Sequence, residues 1–300
     1  MLLSFRPRLA LASAALVLLT ACGGNGSDPP AAAFELQLLH VSDMDSGGDL
    51  VSNSKGLSAL VQKFRSEMPG RTLFVSSGDN YIPGPFFNAA DDASLTAELG
   101  APSAGRGDIA ILNAMGLQAS AFGNHEFDLG TRTVSDIIRT SGAWVGAQFP
   151  YLSANLNFTA DGNLASIAAA ANDGVTAGAL RGKIARYTTV SVGGQTIGLV
   201  GATTPTLPTI RTVGGVTVRP TGADVASIDA LAAEIQPSVD ALVARGVTKI
   251  VLLAHMQQLR VEQALAPKLR DVDVIVAGGS NSGLYDDNDY IRPGDTNRGP

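Results

Sequence analysis

Gly123-Asn124-His125-Glu126-Phe127-Asp128, followed by Leu129-Gly130, is the stretch on which the fold turns. Residues 117–122 before it form a short apolar run that predicts a buried strand, and residues 131–140 after it carry a helical pattern. A glycine, an amide, an imidazole and two carboxylates are therefore expected together on a strand-to-helix turn. In an open α/β sheet such turns lie outside the carboxyl ends of the strands, where ligands bind. The same layout recurs outward in both directions. Residues 34–41 predict a strand ending at Ser42-Asp43-Met44-Asp45, and residues 72–75 predict another ending at Ser76-Ser77-Gly78-Asp79-Asn80. Residues 249–253 run apolar into Ala254-His255, and residues 272–277 into Gly278-Gly279-Ser280-Asn281-Ser282. Polar, metal-ligating residues follow an apolar strand each time. The expectation is an α/β fold with one site shared by several strand ends.

The intervening segments fit that alternation. Leu57, Leu60, Val61 and Phe64 share one face of a helix over residues 55–68, which Pro69-Gly70 stops. A long connection over residues 81–107 leads to a helix over 108–115, and a further strand is expected over 143–147. Residues 162–182 are mostly Ala, Gly and Asn and predict an irregular excursion. Gly193-Gly194, between apolar runs at 184–192 and 195–200, is the strongest hairpin signal. A helix over 224–245 contains Pro237, which predicts a kink or two shorter helices. The chain has no internal repeat.

Three hundred residues suffice for a sizeable core. The net charge is −6, and residues 1–21 hold Arg6 and Arg8 but no acid, so the remainder is more acidic still. An acidic surface speaks against a nucleic-acid polymer as partner. At the N-terminus Arg6 and Arg8 precede an apolar run over residues 9–19, too short to span a bilayer comfortably. Leu19-Thr20-Ala21-Cys22 then resembles the lipobox of bacterial lipoproteins. It implies a signal peptide over 1–21, a lipid on the Cys22 thiol, a Gly/Pro/Ala-rich tether over 22–33 and a domain over 34–300. The plain alternative is an ordinary secretory signal with an incidental cysteine. The lipoprotein reading places the chain in the cell envelope, periplasmic or on the outer surface, anchored to a membrane and not cytoplasmic. Cys22 is the only cysteine, so no disulfide forms within the chain.

Asp43, Asp45, Asp79, Asn124, His125, His255 and Asn281 are the side chains at the strand ends that can do chemistry. Taken singly, an Asp after a strand is a helix cap or turn former, and a lone His255 is a satisfied core histidine. Taken together they put three carboxylates at one edge of a sheet. Such a group repels itself unless a cation neutralises it. With a single cysteine, a thiolate zinc site is excluded.

Gly78-Asp79, then Gly123-Asn124-His125-Glu126, then His255 after an apolar strand and finally a Gly-Gly turn resemble, in that order, the calcineurin-like metallophosphoesterases. Within that superfamily, Gly123-Asn124-His125-Glu126-Phe127-Asp128 and the opening Leu38-Leu39-His40-Val41-Ser42-Asp43 resemble the secreted 5′-nucleotidase branch, over residues 34–285. The resemblance implies a β-sandwich of two mixed sheets flanked by helices, and hydrolysis of phosphate esters, above all phosphomonoesters, with nucleotides and cyclic nucleotides among the candidates. It implies two divalent metal ions about 3.5–4 Å apart, bridged by one carboxylate with a hydroxide between them. Asp43 and Asp79 would then bind the first ion, Asp79 would bridge, and Asn124 and His255 would bind the second. His125 would approach the phosphate and protonate the leaving oxygen, with Asp128 orienting its ring. Asn124, His125, Asn80 and Tyr81 are expected to face the substrate.

Two departures stand out against that pattern. The family's opening Asp-x-His is Asp43-Met44-Asp45 here, and its closing Gly-His-x-His is Gly279-Ser280-Asn281-Ser282. The only histidines are His40, His125 and His255, and His40 reads as structural. Either the site has decayed, leaving a non-catalytic metal- or ligand-binding surface lipoprotein, or it is re-ligated. In the second reading Asp45 and Asn281, or Ser280, supply oxygen where imidazoles are missing. Retention of Asp43, Asp79, Asn124, His125, Asp128 and His255 favours re-ligation. A shell so rich in oxygen prefers Mn, Mg or Ca, with Zn still admissible. The branch's C-terminal base-binding domain has no counterpart here, so the catalytic domain is expected to be truncated at its C-terminus.

Overall fold

Most apolar runs bounded by turn residues become strands in the computed structural model, which describes residues 34–47 and 49–283. The signal peptide expected over 1–21, the tether over 22–33 with Cys22, and the tail after 283 lie outside the described residues. The strands, in chain order, are β1 (Gln37–Val41), β2 (Thr72–Ser76), β3 (Ala119–Ala121), β4 (Tyr151–Leu152), β5 (Leu156–Asn157) and β6 (Ile184–Ala185). They continue as β7 (Tyr187–Val192), β8 (Gln195–Thr203), β9 (Thr217–Val218), β10 (Ile250–His255) and β11 (Val274–Gly278).

One sheet has the order β1-β2-β3-β4-β6 and a second β11-β10-β8-β7, with β5 and β9 forming a separate ribbon. The first sheet is parallel throughout. The second is mixed, its only antiparallel pair being β7 and β8. Parallel neighbours need crossovers, and the helices Leu50–Glu67, Arg106–Met115 and Gly130–Ile138 supply three of them. Parallel pairing brings the carboxyl ends of β1, β2 and β3 to one edge, and those of β8, β10 and β11 level with one another. His255 accordingly stands beside both Thr203 and Gly278. The Thr203 hydroxyl donates to the Phe122 carbonyl at 3.0 Å, tying the end of β8 to the loop after β3.

Burial explains the elements. All six residues of β10 are buried, as expected of a central parallel strand covered on both faces. Leu231, Ile235, Val239 and Leu242 line one stripe of the helix Ile228–Val243 and pack against Val200, Leu252 and Ala254. Phe74, Phe122, Tyr151, Ile109 and Leu112 belong to the core beside the first sheet. Full burial of each such aliphatic or aromatic side chain stabilises the fold by about 1.5–3 kcal/mol.

Two details depart from the sequence expectations. The strand sought at 143–147 is instead a turn, with Ser141 bridged to Trp144, and the strand proper comes at β4. The Trp144 indole there donates to the Ile137 carbonyl at 2.9 Å, so its burial serves the core rather than a sheet. The segment 224–245 does divide, but at Ser227, whose side chain caps the helix through Ala230 N–H, not at Pro237. Pro237 and Ala233 both face solvent, so water can satisfy the carbonyl that the proline leaves unbonded. The Gly193-Gly194 hairpin forms as read, both residues having positive φ.

Candidate metal centre

The ends of β1, β2 and β10 deliver Asp43, Asp79 and His255 to one point, with one ligand atom from each lying within 4.8 Å of the others. Backbone contacts force the convergence. Asp43 N–H donates to Gly78 O at 3.2 Å and Met44 N–H to Asp79 O at 2.8 Å, which clips the loops after β1 and β2 together. Asp43 and Asp79 hold φ of 52° and 53°, a region that Asp tolerates better than most residues. A Cβ on Gly123 would lie 2.2 Å from Asp79 Oδ1, so the loop after β3 approaches this closely only with glycine there. That approach lets the His125 N–H donate to Asp79 Oδ1 at 2.6 Å.

Glu126 locks the arrangement. Its carboxylate is fully buried and accepts from Asp79 N–H at 2.9 Å, Asn80 N–H at 2.8 Å and Gly123 N–H at 2.7 Å. Burial, then the nearby Asp79 charge, pushes its pKa up to about 8 against those hydrogen bonds. The sequence motif contains Glu126, but nothing in its spacing shows that it staples two strand-end loops.

His255 Nδ1 donates to the Ser77 carbonyl at 2.9 Å, which turns Nε2 towards Asp79 Oδ2 at 3.0 Å. Burial lowers the His255 pKa, but the hydrogen bond and charge of Asp79, with Asp43 and Glu126 beyond, outweigh it and raise the value to about 9. The imidazolium therefore balances the carboxylates when no other cation does. The Asn124 amide adds to the demand for one: its oxygen lies 3.1 Å from Asp79 Oδ2 and 3.2 Å from His255 Nε2. Turning that amide over relieves the oxygen–oxygen contact, and so does a cation between the two. Two unit charges about 4 Å apart repel by about 4 kcal/mol at an effective dielectric near 20, which a divalent ion converts to attraction. Asp43, Asp79, Asn124 and His255 thus fit a divalent metal ion. His40 Nε2 lies 2.7 Å from Ser77 Oγ, next to the carbonyl that fixes His255.

The other expected residues divide. Asp45 is exposed and stands outside the converging trio, and Asn281 is exposed at the lip of a groove of about 960 Å³ that Asp43 also lines. Asn80 and Tyr81, expected against substrate, are buried instead. The Asn80 amide donates to Ser120 Oγ and Tyr151 Oη, both at 2.8 Å, and accepts from Ser76 Oγ at 2.6 Å. Tyr81 donates to the Glu126 carbonyl at 3.3 Å. With every polar group directed inward, these two are core residues, because the chain turns into the sheet directly after Asp79.

His125 Nδ1 and Asp128 Oδ2 are 2.6 Å apart, as the motif predicted. The guanidinium of Arg211 completes the group. Its Nε pairs with Asp128 Oδ1, and an outer nitrogen lies 3.2 and 3.3 Å from the two ring nitrogens of His125, too even a spacing for a directed bond to either. Arg211 follows the helical turn Leu207–Ile210 after β8, 86 residues from His125. Only the packing of β8 against β3 brings it here, so no local sequence signal could have marked it.

Comparison with known proteins agrees with this geometry. The human 5′-nucleotidase is 31% identical over 296 residues, covering 94% of this chain and 44% of that protein. The crystal structure of a 5′-nucleotidase precursor from Thermus thermophilus superposes with a TM-score of 0.63 and 25% identity, covering 88% of this chain and 45% of that one. A calcineurin-like phosphoesterase, YfkN from Bacillus subtilis, shares the fold at a TM-score of 0.55 and 18% identity, over 82% of this chain and 72% of that one. The chain spans less than half the length of the human and Thermus proteins. No family model matches it.

Proposed function

The chain belongs to the 5′-nucleotidase family as its N-terminal metallophosphoesterase domain, and from that premise we propose that it hydrolyses phosphomonoesters with a pair of divalent cations, nucleotides being the foremost substrates. The observation that carries this reading is the convergence of Asp43, Asp79 and His255 at the carboxyl ends of β1 and β2 in one sheet and β10 in the other. Asp79, Asn124 and His255 would hold one ion. Asp43 and Asp79 would hold the other, with Asp45 and Asn281 as its outer oxygen donors. Oxygen predominates in that set, which favours Mn, Mg or Ca. When bound, such a pair supplies a water acidic enough to attack at neutral pH and positive charge against the phosphoryl oxygens.

The protein's own groups handle the leaving side. His125 would present Nε2, the nitrogen turned away from Asp128, to the leaving oxygen. Its ring is held by Asp128, and Asp128 by Arg211, so the imidazole keeps one orientation while it gives up its proton. Arg211, beside His125, would add a cation on that side of the phosphoryl group. The lipobox-like N-terminus supports a lipid-anchored location in the cell envelope. Among the described residues, no helix is long and apolar enough to cross a membrane.

The test is a screen of the chelated protein against nucleoside monophosphates and an aryl phosphate, with Mn, Mg, Ca or Zn added back. Turnover that disappears on chelation and returns with metal is expected, with His125→Ala lowering kcat about 10²–10⁴-fold. Ion binding without product under every condition would establish the non-catalytic reading instead.

A further inference from the structure

The closing turn brings no imidazole to the second ion, yet a different side chain reaches that place. Gln257 stands two residues beyond His255 with φ of 67°. Of the five non-glycine residues with positive φ among the described residues, Asp43, Asp79, Gln257 and Asn281 all belong to this edge, and Gln257 is the one whose side chain gives no local relief for that backbone. Such strain persists only where the surroundings over-determine it, and it gathers at functional sites. The Gln257 amide is in hydrogen-bond contact with Asn124 Oδ1, the same oxygen that lies 3.2 Å from His255 Nε2. Gly279 faces it from the closing turn, and a Cβ there would lie 3.0 Å from Gln257 Nε2 and 2.7 Å from His255 Nε2. The closing turn can therefore offer no side chain at Gly279, and the Gln257 amide fills the adjoining space.

We propose that Gln257 is a ligand of the ion held by Asp79, Asn124 and His255, donating through Oε1 after its amide turns over. This rests on the reading that the chain binds divalent metal. A carboxamide carries both oxygen and nitrogen at nearly the same positions, so the exchange needs a half-turn about one bond and no backbone movement. Its oxygen is a hard, neutral donor, matched to Mn, Mg or Ca, and it brings no further negative charge to a point that already holds Asp79 and Asp43.

Substitution by glycine separates a ligand from a packing residue, because glycine accepts the positive φ readily. In calorimetric titration of the full chain with Mn²⁺ alone, Gln257→Gly is expected to bind the ion at least tenfold more weakly than wild type. Gln257→Glu, which keeps the reach and an oxygen, is expected to restore or exceed wild-type affinity. Unchanged Mn²⁺ affinity in Gln257→Gly overturns the assignment while leaving the phosphoesterase reading in place. A loss in the glycine variant that Gln257→Glu does not recover overturns it equally. Wild-type protein that takes up no Mn²⁺ overturns both.

Discussion

At the ends of β2 and β3 the protein satisfies its own backbone N–H groups, whereas at the ends of β1 and β11 its oxygen donors stand open to the groove. In the first region the N–H groups of Asp79, Asn80 and Gly123 all end on Glu126, and the His125 N–H ends on Asp79. In the second, Asp45 and Asn281 are exposed, and Asp43 is fixed on one oxygen by the Gly279 N–H at 2.9 Å. The backbone of the first region is held by protein groups alone. The second consists of oxygens with little to hold them except a cation. The difference is also one of chemistry. Both sequence departures from the family pattern, at Asp45 and over Gly279-Ser280-Asn281-Ser282, fall in the open region, where a ligand can be exchanged without dismantling a buried network.

That contrast can be broken at its strong end first. Glu126→Ala removes the acceptor of three buried N–H groups, each costing about 1–3 kcal/mol when left unsatisfied. A loss of at least about 3 kcal/mol in stability is expected by denaturant unfolding of metal-free protein. A loss under about 1 kcal/mol would show that the closed region is not held by this carboxylate.

His255 lies between the two regions and tests them by pH. Its folded pKa, about 9, stands above the ordinary value of 6.5, so its contribution to the stability of metal-free protein is complete below pH 6.5 and is lost as pH rises through about 9. Metal binding needs the neutral imidazole, so ion affinity is expected to rise over the same interval. Thermal unfolding and Mn²⁺ titration at several pH values read both slopes. Metal-free stability rising with pH across that window would reverse the sign argued here.

The smallest effect is expected at the open rim. Asp45→Ala should weaken Mn²⁺ binding by less than about tenfold, since an exposed charge contributes about 0–1 kcal/mol. A loss matching that of Asp43→Ala would show that Asp45 swings into the centre when the ion binds, and the contrast between the regions would narrow.

The pattern of apolar runs ending in Asp, Asn and His made much of this centre legible. Asp43, Asp79, Asn124 and His255 meet as those runs implied, and His125 pairs with Asp128 through a three-residue spacing that any helical turn would preserve. Asn80 and Tyr81 misled because adjacency to Asp79 along the chain does not fix which way a side chain points. Arg211 was invisible because its partners are distant in sequence. The strand expected at 143–147 failed because a buried tryptophan is equally at home in a turn that packs against a helix.

Local order, being carried by periodicity and turn residues within a few positions, was largely settled by the sequence alone: the strands that lead to the site, the hairpin at Gly193-Gly194, and the identity of the residues placed at the strand ends. Tertiary structure decided how those ends face one another. It turned Asn80 inward, set Glu126 beneath two loops, brought Arg211 to His125 across 86 residues, and set the Gln257 amide against Asn124. Distances between loops depend on how parallel strands stack and how closely backbones without side chains can approach, and neither is encoded at any single position.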